Sequence, residues 1–553
     1  MAGRAEEVFV PAEGEPVPVK PVVRSVDGVL NITLRLGPVH LSGLSLSLLA
    51  RAYNGSVPGP TLSMHPGDRL IIRLENALSE PLGPAAHNSY QHPNRTNLHV
   101  HGLHVSPLMG SDNVLDVVVD PGESFVYEYH LPPQHSPGIY WAHPHGHGSL
   151  TSQTGAALAM LVEDPKGYMS PQVAAMGDHI LVLQNFPRGE LEMAANKSED
   201  RYFRVERWNL QEDLWLVNGA PKPVLTVEAG VWVRLRLVMS GIASWLSLSF
   251  GSCKVALLAK DGIYLEDFPR YVKRVQLFPG SRAQLLLNCP AGEEHVISSP
   301  VPDAIKGSFD VALGPNGAPL ELFTIRSAGA SLSAPILTPW SPAFRPAYLQ
   351  DLQGRRLTPK CSCSTSMGNG VLAHGKRWIG GHDFQGPKAY LTHWPQNFVA
   401  ERLLSGVDRH PFHQHTWPFQ LAEMPLGKDS YFKAGDWHDT YSNVLDPDVL
   451  VRFSTVRFSG ALVIHCHANT HSDEGMLGVE LVSQQACGCG LLDDPLKIRH
   501  IPYALLTAIS IASAALIFIT ALLAKRYRSG RLKETEMSES SEEDSCSPLE
   551  SSN

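Results

Sequence analysis

The sequence predicts an all-β protein of several β-sandwich domains, followed by one C-terminal transmembrane helix. Gly (46 residues) and Pro (43 residues) are plentiful, and helical periodicity is scarce before residue 500, which favours short strands joined by turns. The chain of 553 residues is too long for one hydrophobic core, so it divides into several domains. One long apolar segment near the C-terminus supplies the helix.

Three strand-rich blocks fit this length. In the first block, apolar and polar residues alternate between turns such as Asn54-Gly55, which is the pattern of a β-sandwich. The second block has its clearest strands at Val224 to Val238 and Val275 to Leu287, and it holds only two histidines, His179 and His295. The predicted divisions are an N-terminal extension (1–28), a first domain (29–165), a second domain (166–345), and a connector with a third domain (346–490).

Charge and composition exclude some functions and favour another. The net charge of −9 offers no basic stripe for nucleic acid, and no Gly-rich phosphate loop follows a strand, so nucleotide chemistry is disfavoured. Histidine is the unusual residue, with 25 copies, many of them between 87 and 147 and between 410 and 471. Such clustering indicates metal binding.

The transmembrane helix is predicted at Ile501 to Ala524, followed by a cytosolic tail at 525–553. This segment has 24 residues without a charged side chain, and roughly 20 suffice to span a bilayer. Basic residues follow it at once, namely Lys525, Arg526, Arg528, Arg531 and Lys533. The positive-inside rule therefore places the body of the protein outside the cytosol. The Ser/Glu-rich tail is predicted to be solvated and disordered.

Two features bear on the compartment. Four glycosylation sequons are compatible with an extracellular or lumenal body; they begin at Asn31, Asn54, Asn94 and Asn196. Residues 1–30, however, contain no recognisable signal peptide. Either the true start lies upstream, or insertion relies on the C-terminal helix alone, which would leave the body in the cytosol. We favour the first alternative.

Six cysteines remain once Cys466, a predicted ligand, and Cys546 in the tail are set aside. An even number outside the cytosol suits disulfides, such as one between Cys253 and Cys289. The other four form two Cys-x-Cys pairs, Cys361 with Cys363 and Cys487 with Cys489. These pairs either form further disulfides, whose pairing the sequence leaves open, or bind metal.

The most specific motif is His465-Cys466-His467, with His471 and Met476 shortly after it. On a strand, residues i and i+2 share a face and i+1 opposes them, so His465 and His467 point away from Cys466. One tripeptide therefore serves two metal sites. A thiolate, two imidazoles and a distant thioether describe a blue-copper centre, which here needs one more histidine from elsewhere.

That histidine comes from the run Arg409 to His415. His413 and His415 have the i, i+2 relation and can face one metal cluster together, while His410, across Pro411, can turn towards Cys466. Alone, such a run could be an adventitious metal patch. The Cys466 motif provides the partner that favours a built site.

Two further histidine pairs complete the set: His99 with His101, and His143 with His145. With the pairs at 413/415 and 465/467 they make eight imidazoles, the number needed by three coppers that take two, three and three ligands. The other histidines nearby are assigned to surface or supporting roles; they are His87, His92, His104, His130, His135 and His147.

These four segments, in this order, resemble the four copper-binding motifs of the multicopper oxidase family, which includes laccases, bilirubin oxidases and ferroxidases. The turn from Tyr53 to Thr61 is similar to the family's N-terminal turn. The resemblance implies three cupredoxin-like Greek-key domains, of which the middle one binds no copper, and four copper ions per chain. It implies type 1 ligands at His410, Cys466, His471 and Met476, type 2 ligands at His99 and His413, and type 3 ligands at His101, His143, His145, His415, His465 and His467.

Protons must also reach the oxygen-reducing cluster. By resemblance to relatives, Asp112 is the candidate donor, against the alternative of an exposed loop aspartate that caps a turn. Many relatives have an acidic residue directly after the histidine that corresponds to His471, where this chain has Ser472. The second acid is therefore either Asp473 or Glu474.

The sequence thus predicts an oxidase that takes single electrons from a reducing substrate at a type 1 copper and reduces O2 to water at a trinuclear cluster. The substrate is a phenol, an aromatic amine or a metal ion. One alternative is a membrane ferroxidase that feeds an iron permease, with Asp408, Asp436 and Asp439 as Fe(II)-binding carboxylates near His410. An alternative of another class is a copper-free cupredoxin scaffold with a structural or binding role.

Overall fold

The computed structural model describes most of the chain up to Cys489. The described residues are 5–43, 46–78, 94–146, 155–189, 191–192, 204–208, 213–242, 244–300, 314, 317–330, 334–357, 361–369, 377–425 and 431–489. Met1–Leu492 form one compact unit. The predicted transmembrane segment and tail lie outside the described residues, among which no helix is both long and apolar enough to cross a membrane.

Residues up to 165 form a β-sandwich. Its strands are β1 (Glu6–Phe9), β2 (Val22–Arg24), β3 (Val29–Gly43), β4 (Leu46–Tyr53), β5 (Thr61–Met64), β6 (Arg69–Asn76), β7 (His99–His101), β8 (Ser124–His130), β9 (Gly138–His143) and β10 (Leu158–Val162). One sheet contains β4, β3, β6 and β8, with β1 beside β3, and the other runs β2-β5-β10-β9-β7. Burial alternates along β6, so that Leu70, Ile72 and Leu74 all face the hydrophobic core of this sandwich.

The predicted N-terminal extension is part of this architecture. β1 pairs in parallel with the second half of β3, and β2 pairs in parallel with β5. Between them, Val17 N donates to Val224 O at 3.1 Å. Residues 1–28, predicted as an N-terminal extension, thus contribute strands to the first sandwich; short strands without strong alternation are hard to recognise in a sequence.

The middle of the chain supplies two larger sheets and a two-stranded one. Its strands are β11 (Asp178–Phe186), β12 (Arg204–Trp208), β13 (Leu214–Val217), β14 (Val224–Glu228), β15 (Val233–Met239), β16 (Leu246–Leu248), β17 (Lys254–Lys260), β18 (Ile263–Tyr264), β19 (Arg270–Tyr271), β20 (Val275–Leu277), β21 (Arg282–Asn288), β22 (Glu294–Ser299) and β23 (Leu320–Ala328), with the short helix α1 at Pro171–Ala174. The sheets run β13-β11-β15-β21-β17-β18, with β19 beside β17, then β14-β23-β22 and β16-β20. β12 instead joins β4 of the first sandwich.

Both long strands predicted for the middle block are interrupted. The run from Val224 to Val238 breaks between β14 and β15, and the run from Val275 to Leu287 breaks between β20 and β21. Gly230 and Gly280 lie at the breaks with φ of +75° and +89°. That left-handed conformation suits glycine and cannot continue a strand. The second break matters for the metal centre described below.

The last block is a second sandwich of two six-stranded sheets. Its strands are β24 (Ser362–Asn369), β25 (Arg377–Ile379), β26 (Tyr390–Pro395), β27 (Val399–Ser405), β28 (Phe412–Gln414), β29 (Phe419–Leu421), β30 (Trp437–His438), β31 (Thr440–Tyr441), β32 (Asp448–Ser454), β33 (Gly460–Cys466), β34 (Leu477–Ser483) and β35 (Gly488–Cys489), with a 3-10 turn at Ala347–Leu349 and helix α2 at Asn469–Asp473. The sheets run β25-β24-β27-β32-β29-β30 and β31-β28-β33-β34-β26-β35.

All six paired cysteines form disulfides. Cys253 bonds to Cys289, as predicted, and the two Cys-x-Cys pairs bond to each other, Cys361 with Cys487 and Cys363 with Cys489. The alternative of metal binding by these pairs is therefore wrong in this structure. Cys466 is a buried thiol outside these disulfides. Among the sequons, Asn94 is buried and accepts a hydrogen bond from the Arg51 side chain, so it is poorly placed for a glycan.

Candidate metal centre

Sheet register brings the four histidine motifs together in pairs. In the first sandwich β7 lies antiparallel to β9, so that His99 is opposite His143. In the last sandwich β28 lies antiparallel to β33, so that His413 is opposite His465. Each sandwich thus contributes two adjacent strands with histidines on one face.

The two sandwiches present these faces to each other. The His99 ring stacks on His415 with 3.8 Å between centroids, and the His101 ring stacks on His413 at the same distance. His145 approaches His465 at 4.9 Å, and His143 approaches His467 at 5.3 Å. All eight predicted imidazoles therefore converge, and of the eight only His145 is more than marginally exposed.

The hydrogen bonds of these rings fix which nitrogen carries the proton. The Nδ1–H groups of His413, His465 and His143 donate to the backbone oxygens of Asp439, Cys466 and Pro144. Each Nε2 of these neutral rings then carries a lone pair. Burial lowers the pKa of His143 to about 3 and that of His465 to about 4, so the neutral form prevails.

These lone pairs face one another. Nε2 of His99 lies 3.4 Å from Nε2 of His413, and Nε2 of His465 lies 3.3 Å from that of His145 and 3.4 Å from that of His415. Each of these close pairs contains one Nε2 that carries a lone pair, on His413 or His465, and can bind a cation between or beside its two rings. The donor set therefore fits metal ions that prefer imidazole.

Unpartnered ring nitrogens mark the remaining ligand positions. Nδ1 of His101, Nε2 of His143 and both nitrogens of His467 are buried and have no hydrogen-bond partner. Buried polar atoms normally have hydrogen-bond partners, so a cluster of buried ring nitrogens without partners fits a metal-binding site. Three ligand atoms lie within 4.8 Å of one another in the sets His99/His413/His415, His99/His101/His143 and His145/His415/His465.

A second site surrounds Cys466. Its Sγ lies 3.7 Å from Nδ1 of His410 and 3.6 Å from Nδ1 of His471, and these two nitrogens are 3.2 Å apart. Helix α2 begins directly after β33 and brings His471 back towards the thiol. Met476 is fully buried, and its backbone bonds to both Cys466 N and His471 O. Sulfur and imidazole ligands in this arrangement fit copper.

The sequence of the chain matches the family described as multicopper oxidase in three segments, at residues 47–167, 188–311 and 382–486. Together these segments span well over half of the chain. The protein belongs to the multicopper oxidase family. It is accordingly a copper-dependent oxidoreductase that uses O2 as the electron acceptor.

Curated relatives of this multicopper oxidase include bacterial and fungal proteins. It is 24% identical over 436 residues to multicopper oxidase mco of Staphylococcus aureus, which covers 77% of this chain and 82% of the relative. It is 22% identical to laccase-1 of Cryptococcus neoformans var. grubii, with 79% of this chain and 77% of the relative covered. It is also 22% identical to the iron transport multicopper oxidase fetC of Epichloe festucae, with 77% and 71% covered.

A solved structure of similar fold is the multicopper oxidase from Campylobacter jejuni, described as a metallo-oxidase. It superposes with a TM-score of 0.65 at 21% identity, covering 85% of this chain and 96% of that one. At this identity the likeness establishes the fold of the multicopper oxidase.

Asp112 lies inside the larger site of the multicopper oxidase. Its carboxylate contacts Nδ1 of His99 at 3.0 Å and accepts the backbone N–H of Val100. Burial raises the pKa of Asp112 to about 8. The alternative of an exposed turn-capping aspartate is therefore wrong. Of the two other candidate acids, Glu474 pairs with Arg377 at 3.4 Å, and the roles of Asp473 and Glu474 stay predictions.

Several supporting residues of the multicopper oxidase escaped sequence reasoning or were misassigned. Asp439, predicted near His410, contacts His101 instead, and its partner Arg282 comes from the middle block. No motif marks Arg282; its only signal is a charge at the start of an apolar strand. Among the extra histidines, His104 and His135 are buried and His130 is exposed, whereas His87, His92 and His147 lie outside the described residues.

Proposed function

We propose that this multicopper oxidase couples the one-electron oxidation of a reducing substrate beside Cys466 to the four-electron reduction of O2 to water at the eight-imidazole site. The observation that carries the proposal is the position of one tripeptide in both sites. His465 and His467 face the eight-imidazole site, while Cys466 between them meets His410 and His471.

We assign four copper ions to these residues. Type 1 copper would take His410 and His471 through Nδ1, Cys466, and Met476. Type 2 copper would take His99 and His413 through Nε2. The type 3 pair would take His101, His143, His145, His415, His465 and His467. The unpartnered and mutually facing nitrogens described above support this division.

The chain prepares the chemistry in three ways. Bound copper would supply single-electron transfer at the first site and dioxygen reduction at the second. Burial keeps the imidazoles neutral and therefore able to act as ligands. Cys466 is joined by peptide bonds to both His465 and His467, so its backbone links the two sites by a short covalent path. The Asp112 carboxyl, whose burial favours its protonated form, holds a proton beside His99.

For the reducing substrate we propose an organic molecule of the laccase type, a phenol or an aromatic amine. The interpretation of three aspartates as an Fe(II) site near His410 loses its basis in the structure. Asp436 is buried in ion pairs with Lys260 and Arg270, and Asp439 is buried against Arg282. Both carboxylates are therefore already neutralised by buried cationic side chains.

The surroundings of His410 are also unfavourable for a cation. Asp408 is ion-paired with Arg409 at 3.6 Å, and burial raises the pKa of Asp408. Burial, together with the guanidinium groups of Arg377 and Arg409, lowers the pKa of His410 to about 4. On the loop that bonds to Val407, Leu445 is 52% exposed and offers an apolar surface.

Metal oxidation is the second candidate. Two similar proteins favour it: the Campylobacter jejuni structure is described as a metallo-oxidase, and fetC of Epichloe festucae is an iron transport multicopper oxidase. Steady-state oxidation of Fe(II), Cu(I), Mn(II) and a dimethoxyphenol by the purified protein separates the candidates. A specificity constant for the phenol above that for Fe(II) is expected; the reverse order would establish a ferroxidase.

We further propose a single-pass membrane protein whose catalytic body is extracellular or lumenal. The three disulfides suit an oxidising compartment. An iron permease as partner belongs to the ferroxidase alternative only. Protease protection in sealed membranes, with antibodies to the body and to the tail, tests the orientation, and cleavage of the body from the cytosolic side would refute it.

The proposed function is tested by Cys466→Ser. This variant is expected to lose the intense blue absorption and all oxidase turnover while it keeps the melting temperature of the copper-free wild type. Retained turnover would refute the path through Cys466. A wild-type protein that takes up no copper on loading and consumes no O2 with any reductant would favour the copper-free scaffold alternative.

A further inference from the structure

The middle block binds no metal in the assignment above, yet it forms one wall of the eight-imidazole site. The backbone at Gly280 packs against the His467 ring, and Gly280 O accepts hydrogen bonds from Trp141 Nε1 at 3.2 Å and from Arg282 Nη1 at 3.1 Å. Because the chain turns between β20 and β21, β21 begins beside the metal centre, and its first residue, Arg282, lies there.

Arg282 forms a bidentate ion pair with Asp439 of the last block. Nη1 donates to Oδ1 at 2.7 Å and Nη2 donates to Oδ2 at 2.6 Å, and both side chains are buried. Asp261 holds Arg282 in place through two further hydrogen bonds. Its carboxylate accepts the Arg282 backbone N–H, and its backbone oxygen accepts a further guanidinium N–H at 3.0 Å. A fork of this kind fixes the plane of the carboxylate.

The fixed carboxylate determines the orientation and tautomer of His101. Nε2 of His101 lies 3.2 Å from Asp439 Oδ1 and 3.1 Å from Thr440 Oγ1. Thr440 Oγ1 in turn donates to Asp439 Oδ1 at 2.9 Å. The His101 proton therefore resides on Nε2, and the unpartnered Nδ1 carries the lone pair.

The same residue sets the opposite tautomer in the neighbouring ring. The backbone oxygen of Asp439 accepts the Nδ1–H of His413 at 2.8 Å, which leaves Nε2 of His413 as the ligand atom. His101 and His413 are stacked at 3.8 Å. Two adjacent rings thus present different nitrogens, and both choices depend on Asp439.

We propose that Arg282, held by Asp261, is a positioning residue of the trinuclear site. Through the carboxylate of Asp439 it fixes the tautomer of His101, the stacked neighbour of His413, so the middle block determines whether this pair can bind copper. The inference rests on the ligand assignment proposed above. Residues that orient metal-bound histidines in this way typically change metal affinity by about 10–100-fold when replaced.

The rival explanation is that the fork merely docks two blocks together. The chain offers a matched control, because Arg270 of the middle block forms a similar fork with Asp436 of the last block, with two contacts of 2.8 Å. Both side chains of that pair are 5% exposed. Its carboxylate faces Lys260 and the backbone N–H of Lys433 instead of an imidazole.

The test compares Arg282→Lys with Arg270→Lys in the full-length copper-loaded protein. After dialysis against graded chelator, copper per chain, blue absorption and the type 2 electron paramagnetic resonance signal are measured, with the melting temperature of each copper-free protein. Arg282→Lys is expected to retain trinuclear copper about 10–100-fold less well while blue absorption persists. Arg270→Lys is expected to match the wild type in copper retention. Equal retention by both variants would overturn the proposal.

A second variant covers the case in which Arg282→Lys folds poorly. Asp439→Asn keeps the shape of the carboxylate but offers an N–H to Nε2 of His101, which favours the wrong tautomer. Because the buried Arg282 loses a charge partner, the copper-free melting temperature should fall. At temperatures where the copper-free variant is still folded it is expected to lose trinuclear copper, and wild-type retention there would overturn the proposal. Should the wild type itself hold fewer than four coppers without a type 2 signal, the proposed function fails. Should the wild type hold four and Arg282→Lys behave as Arg270→Lys does, only this inference fails.

Discussion

Gly280 touches the imidazole of His467 so closely that a β-carbon on that glycine would lie 2.7 Å from His467 Cδ2. Real β-carbons essentially never approach a heavy atom within 3.0 Å, so the ring would have to move. Gly280 also has a φ of +89°, which side chains adopt at a cost. The two effects can be separated by experiment.

Gly280→Ala is expected to displace His467 and to weaken copper binding at the eight-imidazole site. Gly292→Ala is the control, since Gly292 has a similar φ of +77° but no atom within 4 Å of its added β-carbon. Both variants should lose about 1 kcal/mol of stability from backbone strain. Only Gly280→Ala should lose bound copper, measured per chain by elemental analysis. Equal copper contents would contradict the contact.

Asp112→Asn is expected to slow dioxygen reduction without affecting the oxidation of substrate. Asparagine still accepts a hydrogen bond from His99 but cannot supply the proton, and a lost general acid typically costs at least about 100-fold. In stopped-flow experiments, anaerobic bleaching of the blue absorption by substrate should be unchanged and reoxidation by O2 much slower. Asp116→Asn, an exposed residue of the same loop, is the control. Normal reoxidation in Asp112→Asn would remove Asp112 from the proton path.

The two disulfides between the Cys-x-Cys pairs should stabilise the protein redundantly. Each closes a loop with a sequence separation of 126, and they lie side by side. One crosslink over such a loop contributes about 5 kcal/mol through chain entropy, and a second over nearly the same loop adds little. Replacing the two cysteines of either disulfide by serines should change the melting temperature slightly. Replacing all four cysteines, which removes both disulfides, should lower it strongly, and additive losses would contradict this reasoning.

Glu480→Gln should destabilise the last sandwich more than most single substitutions. Glu480 is the buried counter-ion of Arg402, which also lies over the rings of Trp394, Phe412 and Phe453. The variant leaves a buried guanidinium without its charge partner, which costs about 3–5 kcal/mol.

The control for that prediction is Glu294→Gln, in which an exposed pair with Arg326 is broken at a cost of at most about 1 kcal/mol. Denaturant unfolding of the copper-free proteins measures both changes. Similar small effects would mean that water reaches Arg402.

The sequence predicted the metal ligands more fully than the residues that position them. Strand alternation is local, so the opposed directions of His465 and Cys466 follow from spacing alone. The fork between Arg282 and Asp439 joins residues 157 positions apart and belongs to no motif. Tertiary contacts of that kind are created by packing, which a single sequence does not display.

Misassigned features share a similar cause. The aspartate at 436 reads as an acidic loop residue, and only the fold shows that Lys260 and Arg270 surround it. In the same way, the apolar run from Val275 to Leu287 hides a turn, because one glycine within it takes a positive φ. Exposure and backbone conformation therefore mark the limit of the sequence-based prediction.

The segment before β3 runs along the first sandwich and the middle block and covers three strand edges: the far half of β3, the outer side of β5, and β14 through Glu15 and Val17. Uncovered strand borders invite pairing with other chains. Proteolytic trimming of the mature protein is therefore harmless only up to about Glu6. A cut beyond that point would expose these strand edges and favour self-association, even though every assigned copper ligand would remain in the chain.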